Sequence, residues 1–166
     1  MSAFIIRKYK AEDYLPCRAL WRELTEWHRH IYDAPQIGGD TPEDAFDKHL
    51  AHVGMDCLWV AVHGSDVVGL VGLIIDEDEA EIEPLIVRQH YRRRGVGTQL
   101  LNTVLAEARK LPIRYLNVRP VARNIVALQF FHRHGFDTIG HIQLFMDINQ
   151  RPWKPGIELH HRRFNY

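Results

Sequence analysis

Residues 82–101, IEPLIVRQHYRRRGVGTQLL, are the stretch that decides the fold. An apolar run at its start indicates a strand and an apolar pattern at its end indicates a helix, so a turn joins the two. The N–H groups at a helix start point outward and carry partial positive charge, which suits a phosphate. Gly95 and Gly97 lack side chains that would keep an anion away from the backbone, and residues 92–94 are all arginine. The turn therefore predicts a site for a pyrophosphate.

Other phosphate-binding turns fit this stretch poorly. A P-loop ends in Gly-Lys-Ser/Thr, and no such ending occurs in the sequence. A dinucleotide-binding turn has three glycines as Gly-x-Gly-x-x-Gly, and Leu100 stands where the third would be. A solvated Arg-Gly loop before a surface helix would explain the arginines, but it would not explain a second pattern further along the chain.

Two patterns together resemble one family. Arg92-x-x-Gly95-x-Gly97 resembles the Arg/Gln-x-x-Gly-x-Gly/Ala signature of the GNAT superfamily of N-acetyltransferases. Residues 124–136, NIVALQFFHRHGF, resemble the second block of that family, Asn-x-x-Ala-x-x-Leu/Phe-Tyr-x-x-x-Gly-Phe. Both blocks occur in the order and at the spacing of the family, and the resemblance covers residues 82–136.

Apolar periodicity predicts a mixed α/β domain with the element order β-α-α-β-β-β-α-β-α-β. Strands are expected at residues 4–9, 57–62, 67–75, 80–87 and 113–118 and within 136–148, and helices at 13–30, 41–52, within 88–110 and at 124–134. The apolar run 67–75 is expected to be buried on both faces. Pro84 lacks a ladder donor, so the fourth strand should be interrupted or bulged there. The resemblance implies that the fourth and fifth strands splay apart to admit the pantetheine arm.

We expect one domain over residues 1–166, with a core at 3–148 and a C-terminal tail at 149–166. The tail is rich in aromatic and basic residues. It is either a last strand packed on the sheet of the chain itself or a surface that docks on a second subunit in a homodimer.

Composition excludes several classes of function. Lys plus Arg number 21 and Asp plus Glu number 21, so no net charge attracts the protein to nucleic acid or to an anionic membrane. The chain start has early charges and no long apolar run, so neither a secretory signal nor an anchor is expected. Two cysteines are too few for a disulfide framework, and a reduced, cytoplasmic location is the simplest reading. The eleven histidines lack a recognisable zinc or iron spacing, so no metal site is expected.

The resemblance implies that acetyl-coenzyme A is the acyl donor. In the family the pantetheine pairs with the fourth strand, and a backbone N–H near its middle polarises the acetyl carbonyl. Carried onto this chain, the cofactor-binding residues are Leu85, Ile86, Val87, Arg92, Arg93, Arg94, Gly95, Val96, Gly97, Thr98, Asn124 and Phe131. Asn124 can also be a helix N-cap, and the two roles are compatible.

Two carboxylates on the fourth strand are candidates for the catalytic base. An alkylammonium has a pKa of roughly 10.4 and cannot attack a thioester until it loses a proton. Glu81 and Glu83 share a face if the strand alternates regularly, and Glu83, nearer the expected bulge, is the first candidate. The alternative is that both are solvated. His28, His30 and Tyr32 end the first helix, where they would contact substrate or cap the helix.

The chain departs from the family at Phe131. The second block usually has Tyr at this position as general acid for the departing thiolate, and Phe has no proton to give. Neighbouring His132 is a possible donor by chemistry, but on a helix it points about 100° away. We therefore interpret Phe131 as lining the thioester pocket.

Three functions remain at this point. The first is acetyl transfer from acetyl-CoA to an amine of a small molecule or peptide by direct attack. The second is a non-catalytic module that binds acyl-CoA and senses its level, a possibility that Phe131 keeps open. The third is an interaction protein whose C-terminal tail docks on a second subunit.

Overall fold

A mixed five-stranded sheet organises the first 119 residues. The computed structural model describes residues 4–148 and 152–166, and the chain divides into two compact units, Met1–Arg119 and Pro120–Tyr166. Residues 3 and 149, at two of the predicted limits of core and tail, lie outside the described residues. That residues 1–166 form one domain stays a prediction.

The elements of the first unit follow one another as expected. The strands β1 to β5 are Ile5–Lys8, Leu58–His63, Asp66–Asp76, Glu79–Val87 and Tyr115–Asn117, and the helices α1 to α3 are Tyr14–Tyr32, Asp44–Val53 and Val96–Ala108. The strands neighbour one another in chain order. The pairs from β1 to β4 are antiparallel, and β5 is parallel to β4. The predicted mixed α/β class is confirmed.

The second helix begins later than predicted. The sequence predicts a helix over residues 41–52, but the helix starts at Asp44. Turn hydrogen bonds come first, from Asp44 N to Thr41 O at 3.0 Å and from Phe46 N to Glu43 O at 3.0 Å. The Thr41 hydroxyl donates to the Asp44 carboxylate at 2.6 Å. The N-cap is Glu43, and its side chain makes no capping hydrogen bond.

Helices cover both faces of the sheet, which buries the middle of β3. Leu70 belongs to a core cluster with Leu20 of α1 and Phe46 of α2. A Cβ added to the adjacent Gly69 would meet Leu100 of α3 at 2.9 Å, so α3 lies against the opposite face. Residues 67–73 are buried without interruption. The predicted burial on both faces is confirmed for these seven residues and is wrong for the end of the run, where Ile75 is 46% exposed.

The fourth strand is bulged at its proline, as predicted. Val71 pairs with Leu85 and Leu73 pairs with Ile82, so the two residues Glu83–Pro84 stand opposite the single residue Gly72. The Glu83–Pro84 peptide bond is cis. Proline supplies no ladder donor, and two residues against one is the definition of a β-bulge.

The fourth and fifth strands pair only at one end. Glu79 to Glu81 pair with Tyr115 to Asn117, and β5 ends there while β4 continues to Val87. Along this edge no other strand of the described residues pairs with residues 82–87. The edge is therefore open from the bulge to the end of β4, as expected of strands that splay apart.

The second unit differs from the prediction after its helix. Helix α4 is Ile125–Arg133, and Gly135 follows it with φ +93°, the left-handed closure expected there. The strand predicted within 136–148 is absent, because these residues have no ladder partner in the described chain. Strands β6, Pro155–Leu159, and β7, Arg162–Asn165, form a separate two-stranded sheet. The expectation of a last strand on the main sheet is therefore wrong.

The separate hairpin turns at two histidines. His160 has φ +50° and His161 has φ +60°, the left-handed pair that a two-residue type I′ turn requires. Such turns usually contain Asn or Gly, so the sequence carried no ordinary signal for this hairpin.

Candidate active site

The bulge on β4 leaves backbone groups available at the open edge. From Leu85 to Val87 the strand pairs with Val71, Leu70 and Gly69 on one side only. In an antiparallel pair half of the backbone N–H and C=O groups face the partner, and the rest face away from it. The outward groups of residues 85–87 can therefore pair with an extended ligand, as they would with another strand.

The turn after β4 presents backbone amides at the start of α3. Arg93 and Gly95 both have positive φ, +61° and +84°. The first hydrogen bond within the helix runs from Gln99 N to Gly95 O at 3.0 Å. The amides of Val96 and Gly97 therefore precede the helical ladder and lie at its positive end. Left-handed residues beside a helix start form a concave anion site.

The three arginines of the turn differ in their partners. Arg92 Nε donates to Val87 O at 2.9 Å, and its guanidinium lies 5.6 Å from the Trp27 ring centre. Arg94 lies 5.5 Å from the Tyr91 ring centre. Arg93 and Arg94 are exposed. Arg92 therefore supports the end of β4 from within the fold, while the other two supply positive charge at the surface.

The two candidate carboxylates lie in different surroundings. The Glu81 side chain is only 12% exposed and lies 3.2 Å from the guanidinium of Arg119. Burial raises the pKa of Glu81, and the neighbouring Glu83 carboxylate raises it further, while Arg119 opposes both. Glu83 itself is exposed. The structure thus distinguishes two residues that alternation alone treats alike.

Glu81 borders a small cavity beside the short β4–β5 ladder. Its volume is about 210 Å³, and the lining residues are Ile74, Asp76, Glu79, Ala80, Glu81, Asn117 and Arg119. Asn117 Nδ2 donates to Glu79 Oε2 at 2.9 Å. The sequence analysis named Glu81 but not Glu79, Asn117 or Arg119. The one available signal for the last two was their place in, or directly after, the strand predicted at 113–118.

A buried histidine near the bulge was also missed. His49 of α2 is 7% exposed, and its ring lies 5.0 Å from that of Trp21. Its Nε2 has no hydrogen-bond partner in the part of the chain that the structure describes. Burial lowers the pKa of His49 to about 4, His52 adds to the effect, and a hydrogen bond with the Glu83 backbone opposes it.

His49 should make the protein less stable in mild acid. An unfolded histidine titrates near 6.5, so between pH 6.5 and pH 4 the unfolded chain binds a proton that the folded chain does not. The free energy of unfolding should fall as pH falls through this window, by at most about 1.4 kcal/mol per pH unit. This slope is an upper limit because residual solvent screens the ring.

Denaturant titrations at several pH values check this expectation. His49→Gln should flatten the fall between pH 6.5 and pH 4, and the exposed His132→Gln should leave it in place. An equal slope in wild type and His49→Gln would contradict the expectation.

The two histidines predicted at the end of α1 differ in exposure, and His30 is exposed. His28 is half-buried, and burial lowers its pKa. The His30 ring lies 5.7 Å from that of Trp27. Tyr32 is the last residue of α1, and Asp33 closes the helix with φ +51°. None of the three lines the cavity beside Glu81.

Asn124 and Phe131 belong to the second unit. Asn124 is the N-cap of α4, and its side chain accepts from Ala127 N at 3.2 Å, so the predicted structural role is confirmed. Phe131 is buried and lies edge-on to Phe130 and Phe136, at 5.3 and 5.5 Å between ring centres. His132 is exposed. Phe131 thus packs within an aromatic cluster, and its predicted contact with a thioester stays a prediction.

The described residues contain neither a membrane-spanning helix nor a cluster of metal ligands. Within residues 4–148 and 152–166, no helix is long and apolar enough to cross a bilayer. The same residues contain no group of three or more His, Cys, Asp or Glu arranged to hold a metal ion.

Comparison with known proteins agrees with this architecture. The chain is similar to the uncharacterized N-acetyltransferase YafP of Escherichia coli (strain K12), with 29% identity over 142 residues, 84% of this chain and 85% of that protein. Its fold is similar to that of the PaiA N-acetyltransferase from Thermoplasma acidophilum, solved in complex with coenzyme A. The TM-score is 0.68 at 21% identity, over 83% of this chain and 94% of that one.

A second solved structure covers nearly the whole chain. It is a GNAT-family acetyltransferase from Staphylococcus aureus Mu50, with a TM-score of 0.67 at 18% identity, over 98% of this chain and 97% of that one. The family model described as Acetyltransferase (GNAT) family matches residues 19–136, well over half of the sequence. The chain therefore belongs to the acetyltransferase (GNAT) family.

Proposed function

We propose that this protein transfers the acetyl group of acetyl-CoA to an amine of a small molecule by direct attack. The observation that carries the proposal is the bulged, one-sided end of β4, which leads into the amide-lined turn before α3 and lies close in sequence to Glu81, whose side chain is 12% exposed. An open strand edge fits an extended pantetheine, and a helix start fits a pyrophosphate. The family and its acetyl-CoA-dependent chemistry support the same assignment.

The residues divide into those that bind and those that react. The amides of Val96, Gly97 and Thr98 hold the pyrophosphate, and Arg93 and Arg94 add positive potential around it. Residues 85–87 hold the pantetheine arm by backbone pairing. An N–H at Leu85, just after the bulge, donates to the acetyl oxygen and stabilises the negative charge that develops there.

Glu81 is the base in this proposal. It takes the proton of the acceptor ammonium, directly or through one water, and the free amine then attacks the acetyl carbon. The C–N bond forms and the C–S bond breaks, a second proton leaves the nitrogen, and the sulfur takes up a proton as free coenzyme A. Burial favours this role because a carboxylate with a raised pKa holds a proton better than a solvated one.

Phe131 favours a second candidate, a module that binds acyl-CoA without turnover. The phenyl ring of Phe131 has no proton to give to the leaving thiolate. Protonation of the thiolate would therefore fall to water or would not occur. Steady release of free coenzyme A in the presence of an amine separates the two functions. Release far above the rate of spontaneous hydrolysis would exclude the module.

Binding of coenzyme A can be tested at the turn by Gly97→Glu. The new carboxylate would lie in the first turn of α3, where it repels a pyrophosphate but favours the helix dipole. The dissociation constant measured by calorimetry should rise at least about tenfold, or about 1.4 kcal/mol. Asn102→Glu, an exposed site on the same helix, adds the same charge away from the turn and should bind like wild type.

The outcomes distinguish an effect on the coenzyme A site from an effect on folding. Circular dichroism should be the same for both variants, because an acidic residue at a helix start does not disrupt the helix. Equal affinity of Gly97→Glu and wild type would refute the assignment of this turn. Failure of the wild type to bind coenzyme A or acetyl-CoA would refute the proposed function as a whole.

A further inference from the structure

The cavity beside Glu81 carries both signs of charge. Three of its lining side chains are carboxylates, Asp76, Glu79 and Glu81, and one is the guanidinium of Arg119. Leu70 and Ile74 lie on the same face of β3 by alternation, and Ile74 pairs with Glu81. The cavity therefore opens on the face of the sheet that α1 and α2 cover, on the same strand as the bulge.

The ion pair in this cavity is asymmetric. The Glu81 side chain is 12% exposed, whereas that of Arg119 is 77% exposed, and one nitrogen–oxygen contact of 3.2 Å joins them. A guanidinium has five N–H donors and binds a carboxylate best through two of them. Arg119 thus has donor capacity beyond this contact and reaches into solvent, where an incoming carboxylate can meet it.

The neighbouring carboxylate is held in place. Asn117 donates to Glu79 at 2.9 Å, which orients the Glu79 carboxylate at the cavity wall. Glu79 and Glu81 are two residues apart on β4 and lie on the same face. An ammonium between them would interact with two carboxylates, while Arg119 marks the side from which an anionic group is attracted.

We propose that the acceptor is a small amino-carboxylate, whose carboxylate binds Arg119 and whose ammonium takes the place of Arg119 beside Glu81 and Glu79. This inference rests on the proposed acetyl transfer and names its substrate class. The geometry favours such a zwitterion over a polyamine, because an arginine in the cavity repels a second cationic group. A volume of about 210 Å³ equals about seven waters, which suits a free amino acid.

Binding of this substrate would also prepare the base. Arg119 is the group that opposes the rise in the pKa of Glu81. When the substrate carboxylate neutralises the guanidinium, that opposition weakens, and Glu81 becomes a better acceptor for the ammonium proton. An amine without a carboxylate leaves the Glu81–Arg119 pair intact and gains no such activation.

The test compares amino acids with their own carboxamides. A panel of α- and ω-amino acids, each beside its carboxamide, and several diamines is assayed with acetyl-CoA by release of free thiol. The best amino acid should exceed its carboxamide in kcat/KM by about tenfold to a hundredfold, the usual scale for hydrogen bonds to a charged group. In Arg119→Gln this ratio should fall at least about tenfold, mainly through KM.

A matched control lies on the same edge of the sheet. Arg114 is 69% exposed and lies 3.6 Å from Asp78, outside the cavity lining. Arg114→Gln removes the same charge and should keep the wild-type preference for the carboxylate. Arg119→Lys keeps the charge but loses the two-pronged geometry, and should give an intermediate ratio.

Each outcome decides the inference. Turnover of diamines or carboxamides at least as fast as of amino acids would overturn it while leaving acetyl transfer intact. Equal ratios in wild type and Arg119→Gln would overturn the role of Arg119. Absence of turnover with every amine, in a protein that still binds acetyl-CoA, would overturn both this inference and the proposed function.

Discussion

Glu81→Gln is expected to lower kcat by about 100- to 10,000-fold, the contribution of a positioned general base. Gln has nearly the same shape but cannot take a proton. Affinity for acetyl-CoA, measured by calorimetry, should stay within about twofold, because the change leaves the backbone groups that would hold the cofactor. A loss of turnover without a loss of affinity for acetyl-CoA is expected when the substituted residue is a catalytic base.

The pH profile gives an independent check of Glu81. Glu81 must be deprotonated to act, so activity should be lost as pH falls through its raised pKa. The ammonium of the acceptor must also lose a proton, and its pKa is near 10. Because Glu81 itself takes the ammonium proton, log kcat/KM should rise with a slope of one below the pKa of Glu81 and then level off until the ammonium titrates near pH 10. Glu81→Gln depends on amine that is already free, so its log kcat/KM should rise with a slope of one up to about pH 10 and show no plateau.

Glu83→Gln is the matched comparison. Its carboxylate is exposed, so the loss of turnover should be less than about tenfold, in keeping with a surface charge. Full activity of Glu81→Gln with strong loss in Glu83→Gln would reverse the assignment and restore the carboxylate nearer the bulge as the base.

Gly72→Ala is expected to lower the free energy of unfolding by about 1–3 kcal/mol, the usual cost of overpacking a filled core. A Cβ at this position would overlap the carbonyl oxygen of Glu83 and lie 2.9 Å from Leu58. The first of these is backbone in the bulge itself and cannot rotate away. The strand must therefore shift where β4 is bulged, and turnover should fall together with stability.

Gly140→Ala is the control for this substitution. A Cβ there would have no neighbour within 4 Å, and replacing a glycine at an unstrained site removes freedom from the unfolded chain. Its stability should equal or slightly exceed that of wild type. Denaturant unfolding of both variants measures the difference. If Gly72→Ala is as stable as Gly140→Ala, the close approach between Gly72 and the bulge does not constrain the fold.

The local sequence determined much of the fold. The glycine turn at 92–97 could be predicted from the sequence, because a helix start, positive φ and local charge depend on only a few neighbouring residues. The bulge at Pro84 was readable because proline lacks an N–H wherever it stands. The burial of β3 could be predicted because successive side chains of a strand point to opposite faces of the sheet. An uninterrupted apolar run therefore needs cover on both faces.

Only the tertiary structure decided the chemistry of the candidate base. Glu81 and Glu83 have the same side chain and the same parity in β4, and the sequence favoured Glu83 for its nearness to the bulge. What separates them is burial and the approach of Arg119, which follows β5 and lies 38 residues away in the chain. Both depend on how strands pair, which is a long-range property that no local pattern encodes.

The same reason explains the remaining differences. Residues 136–148 carry apolar side chains that predict a strand, but a strand exists only where a partner supplies the ladder hydrogen bonds. The histidine turn at 160–161 lets residues 155–165 pair with each other instead. The buried imidazole of His49 likewise depends on α2 lying against the bulge. The sequence by itself determined most elements of the first unit and the glycine turn at the start of α3, whereas contacts between distant segments decided strand partners, burial and charge.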